Sequence, residues 1–82
     1  MSNWIDFVEG APNARTLTWN VVAKEGGAAL GRVAWFGRWR RYCFFPGTET
    51  VYEQDCLRSI ASFCEDQTRR HKEIRDAEKV KA

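Results

Sequence analysis

Between Thr16 and Pro46 the chain is patterned for β-strands and is interrupted only at glycines. In "TLTWNVVAK" (Thr16 to Lys24), Leu17, Trp19, Val21 and Ala23 share one side, and Thr16, Thr18, Asn20 and Lys24 the other. That period of two marks a half-buried strand. "EGG" (Glu25 to Gly27) turns the chain, and "AALGRVAWF" (Ala28 to Phe36) supplies a second strand. "RWRRYCFF" (Arg38 to Phe45) supplies a third, with Gly37 at the reversal. Pro46 has no amide proton to give to a ladder and closes the run. One helical pattern follows, so a single element must cover the sheet. The expected fold is α+β: a three-stranded antiparallel sheet packed against one C-terminal helix (β-β-β-α).

The helix has a start signal in Thr50 and Glu53, a T-x-x-E capping box in which the hydroxyl accepts from the Glu53 amide. Leu57, Ile60, Ala61 and Cys64 then recur at helical spacing, with Phe63 on the flank. After Cys64 the stripe stops, and Ile74 and Val80 are the large hydrophobes left among charges such as Lys72 and Asp76. The organisation expected is an N-terminal arm over 1–15, one β-β-β-α domain over 16–72, and a solvated helical or frayed tail over 73–82. The arm holds Trp4, Ile5, Phe7 and Val8 before the breaker "EGAPNA", and its acids, Asp6 and Glu9, suit docking on the arginine-rich middle.

The chemistry of the side chains narrows the function. A sequence of 82 residues with a single histidine, His71, offers no Ser/His/Asp or Cys/His set and no phosphate-cradling glycine loop, so no reaction can be assembled. Enzymatic activity is not expected, nor is a cofactor. Cys43, Cys56 and Cys64 contain no C-x-x-C pair. Cys56 and Cys64 would stand about 12 Å apart on a helix, beyond disulfide reach. They read as small buried hydrophobes in a reducing compartment, and no metal site is expected. "MSNWIDFVEG" does not read as a secretory signal and no run reaches membrane-spanning length, which makes a cytoplasmic protein with no membrane partner the expectation.

What stands out is "WFGRWRRYCFFP" (Trp35 to Pro46). With Gly37 and Arg38 as a two-residue loop, Phe36 would pair with Trp39, Trp35 with Arg40 and Val33 with Tyr42. One face would then carry Val33, Trp35, Arg40, Tyr42 and Phe44. The other would carry Leu30, Arg32, Ala34, Phe36, Trp39, Arg41, Cys43 and Phe45. Neither is polar, and one helix covers only one. The uncovered face is sheltered by the arm or stays exposed as arginine among aromatics, the composition of binding surfaces for proteins or single-stranded nucleic acid. The plainer alternative is that arginines stack on the rings of their own chain and keep their heads in water. The candidate partner-binding residues are Trp35, Arg38, Trp39, Arg40, Arg41 and Tyr42.

The run Leu30-Gly31, Trp35, Trp39-Arg40-Arg41-Tyr42, Phe44-Phe45-Pro46, Thr50-Val51-Tyr52 and Cys56-Leu57-x-x-Ile60-Ala61-x-Phe63-Cys64 resembles small proteins encoded by bacteriophages and prophages. The resemblance covers about Thr16 to His71 and transfers no catalytic residue. It implies a bacterial cytoplasm during infection or lysogeny, where small phage proteins bind host machinery, including defence complexes such as CRISPR effectors, or bind DNA. The expected function is therefore a non-catalytic binding protein that occludes or locks a host protein complex, an anti-defence inhibitor being one form. The alternative is a small DNA- or RNA-binding accessory protein. The net charge of +2 is modest for that role, although four arginines and no acid lie between Arg32 and Arg41. A homodimer is compatible with either.

Overall fold

The computed structural model describes residues 4–12 and 15–81, with side chains as far as residue 77. The elements are β1 (Ile5–Glu9), β2 (Thr18–Ala23), β3 (Ala29–Phe36), β4 (Arg41–Pro46) and α1 (Gln54–Lys81). The strands form one antiparallel sheet in the order β1-β2-β3-β4, with α1 packed along one face. The α+β class with a single C-terminal helix stands, but the sheet has four strands rather than three. The extra strand lies in the segment read as an arm. "IDFVE" alternates Ile5 and Phe7 against Asp6 and Val8, and pairs with β2 from Ile5↔Ala23 to Glu9↔Trp19. It widens the sheet at its edge instead of covering a face. Asp6 meets Lys24 at 3.8 Å and not the arginine-rich middle.

The β3–β4 hairpin also differs from the expected register. Phe36 pairs with Arg41, Trp35 with Tyr42 and Val33 with Phe44, so the turn holds the four residues 37–40. The Trp39 amide donates to the Phe36 carbonyl at 3.2 Å, and Arg40 takes a positive φ of 53° to bring the chain round. The slip from the two-residue loop is two positions, and two positions preserve the alternation of faces. From Arg32 onward the two sets of strand residues keep their sides, while Trp39 and Arg40 move out of the ladder into the turn. Leu30, expected on the face of Arg32, instead packs against the helix-side core, next to the register shift between Val21 and Val22.

Gly31 shows how tightly β3 and β4 meet. A Cβ built there would lie 2.6 Å from the Phe45 carbonyl oxygen and 2.7 Å from the Phe44 ring. Any side chain at this position would push the edge strand away.

The helix begins at Gln54, and its cap is Glu53. The Glu53 carboxylate accepts from the Cys56 amide at 2.6 Å, while the Thr50 hydroxyl donates to the Gly47 carbonyl at 3.0 Å. The expected Thr50–Glu53 box is thus replaced by one carboxylate that satisfies an orphan amide of the first turn. The buried stripe is rotated as well. Cys56 and Ile60 are buried and Phe63 and Cys64 pack against them, whereas Leu57 is half exposed and Ala61 faces solvent. Both sets have helical spacing, and the sheet selects the one that carries the larger ring. The helix continues unbroken to Lys81, with residues 72–77 exposed. The exposure expected of Val80 lies outside the described side chains.

Between helix and sheet lies the core: Ile5, Trp19, Val21, Val33, Tyr42, Cys56 and Ile60. Two of these are aromatic, and the partly buried rings of Phe7, Trp35, Phe44, Tyr52 and Phe63 pack around them, which helps a core this small remove enough apolar surface from water. Phe7 stacks on Phe63 with ring centroids 4.1 Å apart, Trp19 meets both Phe63 and Tyr42 edge-on, and Phe44 meets Tyr52. Two hydroxyls brace this seam. Tyr52 donates to the Leu30 carbonyl at 2.6 Å, and the Tyr42 oxygen accepts from the Leu17 amide at 3.2 Å.

Candidate functional site

The sheet divides the aromatic residues between its two faces. On the helix side Trp35 packs edge-on to Tyr42 and lies 4.3 Å from the His71 ring, centroid to centroid. Tyr42 is 5% exposed. Its amide, turned outward from the edge of β4, donates to the Thr68 hydroxyl at 2.9 Å, so the helix occupies that edge. Of the six residues singled out in the sequence, Trp35 and Tyr42 are therefore grouped under the helix. Arg38, Trp39, Arg40 and Arg41 are grouped separately, in the exposed turn and at the first position of β4.

Among the described residues no helix or further strand lies over the other face, which the segment at Ala11 touches at Thr18, and on it the side chains form a continuous strip. The Arg32 guanidinium sits 5.0 Å from the centre of the Phe45 ring, Phe45 meets Phe36 at 6.3 Å, and Phe36 meets Trp39 edge-on at 4.9 Å. Trp39 is 62% exposed at the end of that strip. Arg41 turns its Nε back to the Trp39 carbonyl at 3.3 Å, which steadies the turn that presents the indole. Arg32, Phe36 and Phe45 belong to this surface although they were not among the candidates. The alternation that places them opposite Val33 and Phe44 was the signal that could have found them. Stacking within the chain occurs at Arg32 on Phe45 and organises the exposed strip, whereas among the described residues no such contact is seen for Arg38, Arg40 or Arg41, the arginines expected to stack.

Little here suits covalent chemistry. Burial, and after it the Cys43 thiol and the Glu65 carboxylate, push the Cys64 thiol up to about 11, leaving it protonated and a poor nucleophile at neutral pH. Burial also raises the Cys43 thiol, against the lowering effect of Arg41. No disulfide joins the cysteines, and among the described residues no three metal-ligating side chains gather. No helix of the described chain is long and apolar enough to cross a membrane.

No family model and no solved structure matches the chain. A protein of Acholeplasma phage L2, described as an uncharacterized 9.3 kDa protein, is 30% identical over 63 residues. The match spans 76% of this chain and 81% of the phage protein. A relative of this extent shows that the chain belongs to the same family as the uncharacterized 9.3 kDa protein of Acholeplasma phage L2.

Proposed function

We propose that the chain is a non-catalytic, phage-type binding protein that docks a host protein complex through its open sheet face. The observation that carries this reading is the uncovered strip Arg32–Phe45–Phe36–Trp39, ordered by its own stacking and ending in an exposed indole. Arginine and large rings held rigidly at a surface are the side chains that dominate protein interfaces, because little conformational entropy is lost when they bind. Occlusion of a host complex, including a defence complex, requires such a surface and no reaction. A cytoplasmic setting belongs to the same proposal.

The test compares proteins captured from host extract by the wild type and by an Arg32→Ala/Trp39→Ala double variant. Both side chains are exposed, so the fold should survive, as a circular dichroism spectrum would verify. A specific partner held by the wild type should bind the variant at least about tenfold more weakly, roughly 1.4 kcal/mol. Retention of every partner by a folded variant would remove the open face from consideration.

A further inference from the structure

On the opposite side of the sheet, the second half of α1 closes a groove against the ends of β2, β3 and β4. The inward stripe of the helix does not end after Cys64. It continues half-buried through Gln67 and His71, beyond which the exposed Ile74 borders the groove, and it changes from apolar to polar and basic as the helix passes the sheet. Arg70 and Arg75 flank the groove from the helix, Arg15 faces them from the chain entering β2, and Trp35 and Tyr42 contribute rings beside His71. Among the described residues no carboxylate lines it. Among the described residues the ion pairs are Lys24–Asp6, Arg58–Asp55 and Arg69–Asp66, and none of them involves these three arginines. Glu65, Glu73 and Asp76 line the neighbouring cleft instead. The turn 37–40 adds Arg38 and Arg40 at the same end of the sheet.

We infer that this groove binds single-stranded nucleic acid. Three guanidinium groups with no ion pair among the described residues, beside the half-buried Trp35 ring and the His71 imidazole over a floor formed by the buried Tyr42, fit a polyanion whose units each carry a phosphate and a flat base. The groove, about 1160 Å³, exceeds the roughly 300–1000 Å³ that encloses a single small ligand, which favours a strand over a free nucleotide. A recess cannot enter a duplex groove as a helix or ribbon does, which favours single strands over double. The site lies across the sheet from the open face. It is thus independent of the docking proposal, and one molecule can hold a protein on one side and a strand on the other.

The test is fluorescence anisotropy with labelled oligothymidylate of about ten nucleotides, within the length one small domain covers, at several salt concentrations. Wild type, Arg70→Ala/Arg75→Ala and the open-face variant Arg32→Ala/Trp39→Ala would be compared. The expected result is binding that weakens steeply with salt, at least tenfold weaker in the groove variant. The log–log salt slope should shrink by about 1.4, two contacts at about 0.7 each. The open-face variant should stay near wild type. Arg75→Glu is a second probe, since one reversed charge on the exposed helix should weaken binding without touching the core. No binding by wild type at low salt, or equal binding by wild type and groove variant, would overturn the inference. So would a poly-glutamate peptide that displaces the oligonucleotide at equal charge, which would assign the groove to an acidic protein segment.

Discussion

Glu53 carries the first turn of the helix on one carboxylate. Hydrogen bonding from Cys56, by its thiol and then its amide, outweighs the opposing desolvation and holds that carboxyl below its ordinary range. A carboxyl with a lowered folded-state pKa releases its proton more readily in the folded protein than in the unfolded chain. The stability it contributes is therefore present above the unfolded value and is lost as pH falls through the folded one. Glu53→Gln should lower the melting temperature at neutral pH and flatten its decline in the acid range. Melting curves of wild type and variant from neutral to acid pH would check both effects. The T-x-x-E spacing pointed to this residue but misassigned its partner. Thr50 is taken by the Gly47 carbonyl, and a loop that tight cannot be read from spacing.

At the scale of elements, periodicity was a guide to side, failing at Leu30 beside the register shift of β2, but not to register. Val33, Trp35, Tyr42 and Phe44 share the helix face as their alternation requires, yet the turn between them is two residues longer than the shortest hairpin allows. Alternation carries no information about loop length beyond its parity, which is why the slip left the faces intact. β1 escaped notice because five residues between the chain start and a Gly-Pro breaker give too short a pattern to separate a strand from a helical turn. On the helix, Leu57 and Ala61 fit the spacing as well as Cys56 and Phe63 do, and only the sheet decides between them. The decision is measurable. Ile60→Ala, at a position 4% exposed, should cost about 2–5 kcal/mol in denaturant unfolding, while Leu57→Ala, half exposed, should cost less than about 1 kcal/mol. Equal costs would restore the unrotated stripe. The candidate surface was legible as rings and arginines close in sequence. It was not legible as two surfaces, because Trp35 and Trp39 lie four residues apart and on opposite sides of the sheet.

As a whole molecule the protein is a small body with a long rod. A helix of 28 residues measures about 42 Å, while the longest strand, of 8 residues, measures about 27 Å. The Cα radius of gyration, 13.8 Å, exceeds the roughly 12 Å of a compact domain of this length. A chain ending after Lys72 loses a stretch whose side chains, as far as they are described, are exposed. It should melt within about 3 °C of the full chain, under 1 kcal/mol, yet lose the groove contacts of Ile74 and Arg75. Thermal melting together with small-angle scattering would show this, the radius falling toward the compact value. A collapse of the melting temperature would mean that the rod holds the body together. The hydroxyl that Thr68 lends to Tyr42 has a consequence for how copies of such a sheet could associate. Growth of a sheet from copy to copy needs a live edge at each end, so that every arrival leaves a place for the next. Here the β4 border is engaged at Tyr42 by the chain's own helix, while among the described residues the outer border of β1 has no strand beside it. Two copies could pair through β1, whereas growth through β4 would first have to displace the Thr68 hydroxyl from Tyr42, so the two borders of the sheet are unequal as points of addition.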